Sequence, residues 1–258
     1  MVIRRIREHV ASHNWFAVAV DLGIVVVGVF LGTQANNWNE ARLERAAGAE
    51  SLREIIEDLR NNEVDLASRR AYYGDVRSHS IAALRALESP EASRSEQFLV
   101  DAYQASQVWA RPLIRAGYDE MTSSGLSRSI GTRATRSRLT TYYAQIRQFD
   151  ITAISTTPYR ERLRQLMPYA VQSAIRQRCP ERVTFLHSGA QIATLPDRCS
   201  VELDRSSIDE AAARLGRARL AEDLTRHIAD LDQKLSGYDR FGRLARELRL
   251  HLQSVGGQ

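Results

Sequence analysis

Residues 15–40 read WFAVAVDLGIVVVGVFLGTQANNWNE, and this stretch decides the architecture of the chain. Its apolar run goes from Trp15 to about Ala35 and holds a single charge, Asp21. Some twenty apolar residues rising ~1.5 Å each cross the ~30 Å hydrocarbon core of a bilayer. The run lacks the polar face of a helix that borders a soluble core. It therefore reads as a transmembrane helix over 15–35, with the lipid bilayer as its first partner. Residues 1–14 before it form a basic head, with Arg4, Arg5 and Arg7 against Glu8. The residues after it mix their charges: Glu40, Arg42, Glu44, Arg45. Basic flanks stay cytoplasmic. The expectation is a cytoplasmic N-terminus and an extracytoplasmic domain over 36–258; in a bacterium, an inner-membrane protein with a periplasmic domain. Trp15 and Trp38 bracket the run as interface anchors, joined at the outer headgroup level by Asn36, Asn37 and Asn39. A cleaved signal peptide would use Thr33-Gln34-Ala35 as its small-x-small site, but this run exceeds a signal core and carries an acid.

Two features of the span point beyond anchoring. Gly28 and Gly32 form a GxxxG pattern with Gly23 nearby, and small residues four apart let helix backbones approach closely in lipid. Asp21 is expensive in hydrocarbon unless it is paired, protonated or near the interface. The functional reading joins Asp21, Gly23, Gly28 and Gly32 in an assembly face for a homodimer or a membrane-protein partner. The plainer reading is an acid that snorkels towards water and glycines of the kind common in membrane helices.

The 258 residues suffice for one substantial domain beyond the anchor. Of the 36 basic residues only Lys234 is a lysine, a bias that reads as base composition of the genome. The net charge of +5 is dispersed among acids. No basic stripe or helix-turn-helix context accompanies it, so no nucleic-acid partner is expected. Cys179 and Cys199 enclose Val183-Thr184-Phe185-Leu186-His187, Ser188-Gly189 and Ala190-Gln191-Ile192-Ala193-Thr194. This reads as a small hairpin or loop over 179–199, closed by a disulfide in an oxidising compartment. The cysteines have neither CxxC spacing nor a ligand-spaced histidine for zinc.

The remainder is helical by periodicity, and the fold class is all-α: the transmembrane helix continues into a helical bundle with coiled-coil character. Leu52, Ile55, Ile56, Leu59 and Leu66 share one face, a pattern that runs on from the span to about Glu88, where Ser89-Pro90 stops it. A second helix is expected over 93–110 with Phe98, Leu99, Ala102, Tyr103 and Trp109 inward. A short helix over 113–124 ends at Gly125. A helix from Thr132 to about Ser155 carries Leu139, Tyr142, Tyr143, Ile146 and Phe149. Pro158 opens the next, to about Arg178. Ser207-Ile208-Asp209-Glu210 reads as a capping box. Helices follow to about Gln253, with Leu224, Ile228, Leu231 and Leu235, then Tyr238, Phe241, Leu244, Leu248 and Leu252 inward. The tail from Val255 is expected to fray.

Gly23 to Val29, then Gln34-Ala35-Asn36-Asn37-Trp38-Asn39-Glu40, resembles the N-terminal signature of a family of bacterial single-pass membrane proteins of unknown function. The resemblance continues at residues 52–59, at Tyr118-Asp119-Glu120-Met121-Thr122-Ser123-Ser124-Gly125-Leu126 and at Leu139 to Tyr143. It implies the topology and the helical fold and supplies no reaction. The cysteine-closed loop has no counterpart in it.

Chemistry is hard to find. The six histidines (9, 13, 79, 187, 227, 251) are scattered, with no HExxH, no GxSxG and no phosphate-binding glycine loop. Neither a cofactor nor a metal is expected. Arg111, Arg115, Tyr118 and Ser123-Ser124-Gly125 form the nearest thing to an anion cleft, and in a chain so rich in arginine chance accounts for them. The reading is a membrane-anchored interaction or scaffold protein without catalysis. Its alternative is a ligand-sensing helical module that signals through a partner or a change of dimer, and an envelope enzyme comes last.

Overall fold

All six prolines lie beyond residue 89, and from Trp15 to Leu87 one helix, α1, runs 73 residues without a break. The computed structural model describes residues 15–256 except 110, 188 and 217; the basic head over 1–14 lies outside the described residues. At ~1.5 Å per residue α1 is about 110 Å long. Its first part is long and apolar enough to cross a membrane. Between Trp15 and Ala46 its large apolar side chains, Trp15, Phe16, Leu22, Ile24, Phe30, Trp38 and Leu43 among them, are exposed. Among the described residues, burial against the body of the chain sets in at Ala47 and Gly48, where a Cβ added to Gly48 would meet Ser129 Cβ at 2.8 Å.

After α1 come α2 (Glu96–Ala105), α3 (Ala116–Ser123), α4 (Arg133–Ala153), α5 (Pro158–Leu166), α6 (Tyr169–Arg178), the strands β1 (Arg182–Phe185) and β2 (Gln191–Thr194), α7 (Arg205–Gly216) and α8 (Leu220–Gly256). Helix α8 returns antiparallel along α1: Glu63 meets Arg249, Arg70 meets Asp239 and Arg77 meets Asp232. Helix α4 packs on this pair. Leu52, Ile55, Leu59 and Leu66 of α1 share a core with Leu139, Tyr142, Tyr143 and Ile146 of α4 and with Leu231, Tyr238, Leu248 and Leu252 of α8. A second core, farther along α1, gathers Ala83 with Phe98 and Leu99 of α2, Tyr159 and Leu163 of α5, Val171 and Ile175 of α6, and Leu215 of α7. The cysteines are bonded, with Cα atoms 6.0 Å apart. The loop they close is an antiparallel hairpin in which Val183 pairs with Ala193 and Phe185 with Gln191.

Several expected boundaries move. Helix α2 starts at Glu96, not residue 93, because the Ser95 hydroxyl accepts the Phe98 N–H as its N-cap. It stops at Ala105, so Trp109 is buried from an irregular segment. The expected helix over 113–124 starts only at Ala116 and ends as read, with Gly125 at φ 76°. The helix expected from Pro158 to Arg178 is two, split at Met167-Pro168, since proline disfavours helical backbone in the residue before it. The cap of α7 is Asp204, not Ser207: its carboxylate accepts the Ser207 N–H at 2.8 Å and both neighbouring hydroxyls. The buried stripe of α8 passes through His227 with Ile228 half-buried. Of the tail expected to fray, Val255 and Gly256 are helical, and residues 257–258 lie outside the described residues.

Candidate functional site

A cleft of about 590 Å³ opens where the turn between α4 and α5 faces α8. Thr157 caps α5 by accepting the Arg160 N–H, and its hydroxyl also lies 3.2 Å from His227 Nδ1. His227 Nε2 lies 2.8 Å from the Ala105 carbonyl oxygen, which can only accept, so Nε2 carries the hydrogen and Nδ1 receives the threonine. The ring stacks on Tyr159. Burial pushes its pKa down to about 4, against the pull of that carbonyl. This histidine is a fixed neutral strut.

Lys234 lies two turns further along α8. Its amine donates to the carbonyl of Ala153, the last residue of α4, at 2.9 Å and sits 4.5 Å from the centroid of the Tyr73 ring. Burial lowers its pKa to about 8, and Asp230 partly opposes that. Arg226 and Arg240 line the same cleft, are exposed, and have no carboxylate partner among the described residues. Phe149 and Phe241 form the apolar end, their rings 4.6 Å apart. Gly237 permits this: a Cβ there would lie 2.5 Å from Phe149 Cε2. The cleft thus offers three basic side chains against one acid, Asp230, beside an aromatic wall.

A shallower groove of about 430 Å³ lies beside the hairpin. Its buried His79 Nδ1 and Asp101 Oδ1 are 2.7 Å apart, and Gln97 donates to the same oxygen. Burial, then the nearby Asp197, raises the Asp75 pKa there. Among the described residues no group of three His, Cys, Asp or Glu side chains is arranged to hold a metal.

Within the first core lies a buried ionic web. Asp65 and Arg69 of α1 are fully buried and 2.7 Å apart. Arg111 reaches the other Asp65 oxygen at 2.6 Å, and Asp150 of α4 lies 3.8 Å from Arg69. Asp58 accepts the Gly117 N–H, Asn62 bonds both the N–H and the carbonyl of Ile114, and Asp150 accepts the Leu113 N–H. The described residues of the segment 106–115 are irregular yet partly buried, so their backbone needs partners. Asn62 of α1 and Asp150 of α4 supply them, while Asp58 of α1 takes an N–H from the first turn of α3.

Of the residues singled out by sequence, Asp21, Gly28, Gly32 and Asn39 fall on one face of α1 at 100° per residue, with Ala35 between them. Gly23 falls on the opposite side. Nothing approaches within 4 Å of a Cβ built on any of the three glycines. Trp15 and Trp38 are exposed, as are Asn36, Asn37 and Asn39, and Asn36 donates to Glu40 at 2.7 Å. Arg111, Arg115 and Tyr118 make no anion cleft: Arg111 is committed to Asp65 and Arg115 to Asp119, both at 2.6 Å. Sequence reasoning missed Lys234 and His227. The signal for Lys234 was present, since a lone lysine in an arginine-rich chain asks for a property arginine lacks, such as a compact ammonium that tolerates burial. No protein-family profile, characterised protein or solved structure matches this chain.

Proposed function

We propose that this is a single-pass, membrane-anchored helical interaction or scaffold protein of the bacterial inner membrane, N-terminus in the cytoplasm and helical domain in the periplasm, which assembles through α1 and performs no catalysis. The observation that carries this reading is the free length of α1. Along residues 15–46 large apolar side chains are exposed around the helix, and nothing lies within 4 Å of a Cβ built on Gly23, Gly28 or Gly32. Water makes such a surface unfavourable by ~25 cal/mol per Å², and lipid removes the penalty. The face through Asp21, Val25, Gly28, Gly32, Ala35, Asn39, Arg42 and Ala46 repeats in steps of four and three, the spacing of a coiled-coil seam. Small residues in its centre suit close backbone approach, and a polar Asn39 suits the fixing of register. The resemblance to single-pass proteins with an NNWNE-type exit supports the same topology. The arginines of the head and the disulfide support its direction, since basic flanks stay inside and disulfides persist outside.

The test is crosslinking in intact cells, followed by recovery in mild detergent, of the wild type, Asp21→Leu and Gly28→Ile. The expected result is a defined self-dimer or partner that both variants lose. A monomer throughout would reduce α1 to a tether and end the assembly reading.

One observation favours a second reading, a ligand-sensing module. The cleft over Lys234 is built from α8, the helix that lies along α1, so occupancy there bears on the element that carries the seam.

A further inference from the structure

We infer that the cleft between the α4–α5 turn and α8 binds a small, soluble organic anion, a carboxylate or phosphate ester carried on an apolar body. The inference rests on the ligand-sensing reading and gives that ligand a chemical class. Three observations define the class. Arg226, Lys234 and Arg240 follow one another along one side of α8, about 12 Å and then about 9 Å apart by helical rise, and all three line the cleft. Asp230 is the acid among them, and neither arginine is spent on a carboxylate among the described residues. Two exposed guanidinium groups and a half-buried ammonium in one concavity call for an anion, and arginine forks match carboxylate and phosphate oxygens. The amine of Lys234 has three N–H donors, one of them used on Ala153. At the other end Phe149 and Phe241 present aromatic surface, which a bare inorganic ion would leave unused. A volume of about 590 Å³ lies within the range of ligand pockets, which extends from about 300 to 1,000 Å³.

The position of the cleft selects the source. It lies beside α1 where Arg70 meets Asp239 and Arg77 meets Asp232. That is some 35 residues, about 50 Å, beyond the polar exit of the span. A headgroup in the bilayer cannot reach it, so the anion comes from solution.

The experiment is calorimetric titration of the full chain in phosphatidylcholine nanodiscs with phenyl phosphate and benzoate as probes, and with benzyl alcohol and inorganic phosphate as the two halves of the ligand. The expected result is saturable binding of at least one aromatic anion, with each half weaker by about 10-fold or more, roughly 1.4 kcal/mol. Arg226→Ala/Arg240→Ala and Lys234→Gln should each weaken it about 10-fold or more. The double arginine variant changes exposed side chains only, and an unchanged melt would confirm that it folds. Absence of binding by either aromatic anion, or equal binding by wild type and variants, would overturn the inference. Loss of phenyl phosphate binding in phosphatidylglycerol nanodiscs would overturn the soluble source. Binding that leaves the α1 crosslink unchanged would uphold the anion site and sink only the sensing reading.

Discussion

His227 ties the stability of the domain to pH through the burial of its ring. Its pKa falls from an ordinary value near 6.5 to about 4, chiefly by burial, so folding expels a proton. Above pH ~6.5 folded and unfolded chains both hold a neutral ring. As pH falls from ~6.5 towards ~4 the unfolded chain takes up the proton first, and stability declines by about 1.4 kcal/mol per unit, to about 3 kcal/mol lost. Urea unfolding at about pH 7, 5.5 and 4 should show this decline, and His227→Gln should flatten it by that amount. Arg69 makes a second residue-scale case. It is fully buried between Asp65 and Asp150. Removing one partner of a buried pair leaves an uncompensated charge, worth roughly 3–5 kcal/mol. Arg69→Met should lower the melting temperature by roughly 10 °C, at ~2–4 °C per kcal/mol for a domain of this size. Asp65 keeps Arg111 as its partner, so Asp150→Asn, which removes the stranded charge and keeps an acceptor for the Leu113 N–H, should recover part of the loss; a double variant no more stable than the single would refute the charge argument.

At the scale of elements, the hairpin is held by three devices. The disulfide closes its base, Ala193 and Leu195 enter the core beside α1, and the Glu96 carboxylate accepts the N–H groups of Val201 and Leu203 at 2.7 Å. On the chain-entropy model a loop of about this length is worth ~3 kcal/mol when cross-linked. Cys179→Ala/Cys199→Ala should therefore destabilise by about that much. Amide exchange should speed up first in β1 and β2, while α1 and α8 stay protected. Equal acceleration everywhere would show that the hairpin is integral to the helical core. The shifted starts of α2 and α7 follow a shared rule. Periodicity locates the middle of a helix, whereas its start is decided by which side chain captures the first free N–H groups, and Ser95 and Asp204 win locally.

For the whole molecule, the free length of α1 and the body built on its second half are separable. The first core residue on α1 is Leu52 and burial sets in at Ala47 and Gly48, so a chain starting near residue 45 retains both cores. It should be soluble and monomeric on gel filtration and melt within about 2 °C of the full chain in detergent; aggregation or a much lower melt would mean that the free segment supports the fold. The sequence by itself determined the long first helix, the helical class, the apolar teeth on α1 and α4 and the cysteine bridge. Each of these is written in local spacing: period in the helices, the first proline only at position 90, two cysteines twenty residues apart. Tertiary structure alone decided that the described residues of 106–115 form an irregular segment bonded to Asn62 and Asp65, that Arg111 is spent on a carboxylate, and that the α4–α5 turn meets Arg226, Lys234 and Arg240 to enclose a cleft. Partners 46 to 81 residues apart are chosen by how α1, α4 and α8 lie against one another, and no local pattern encodes that choice.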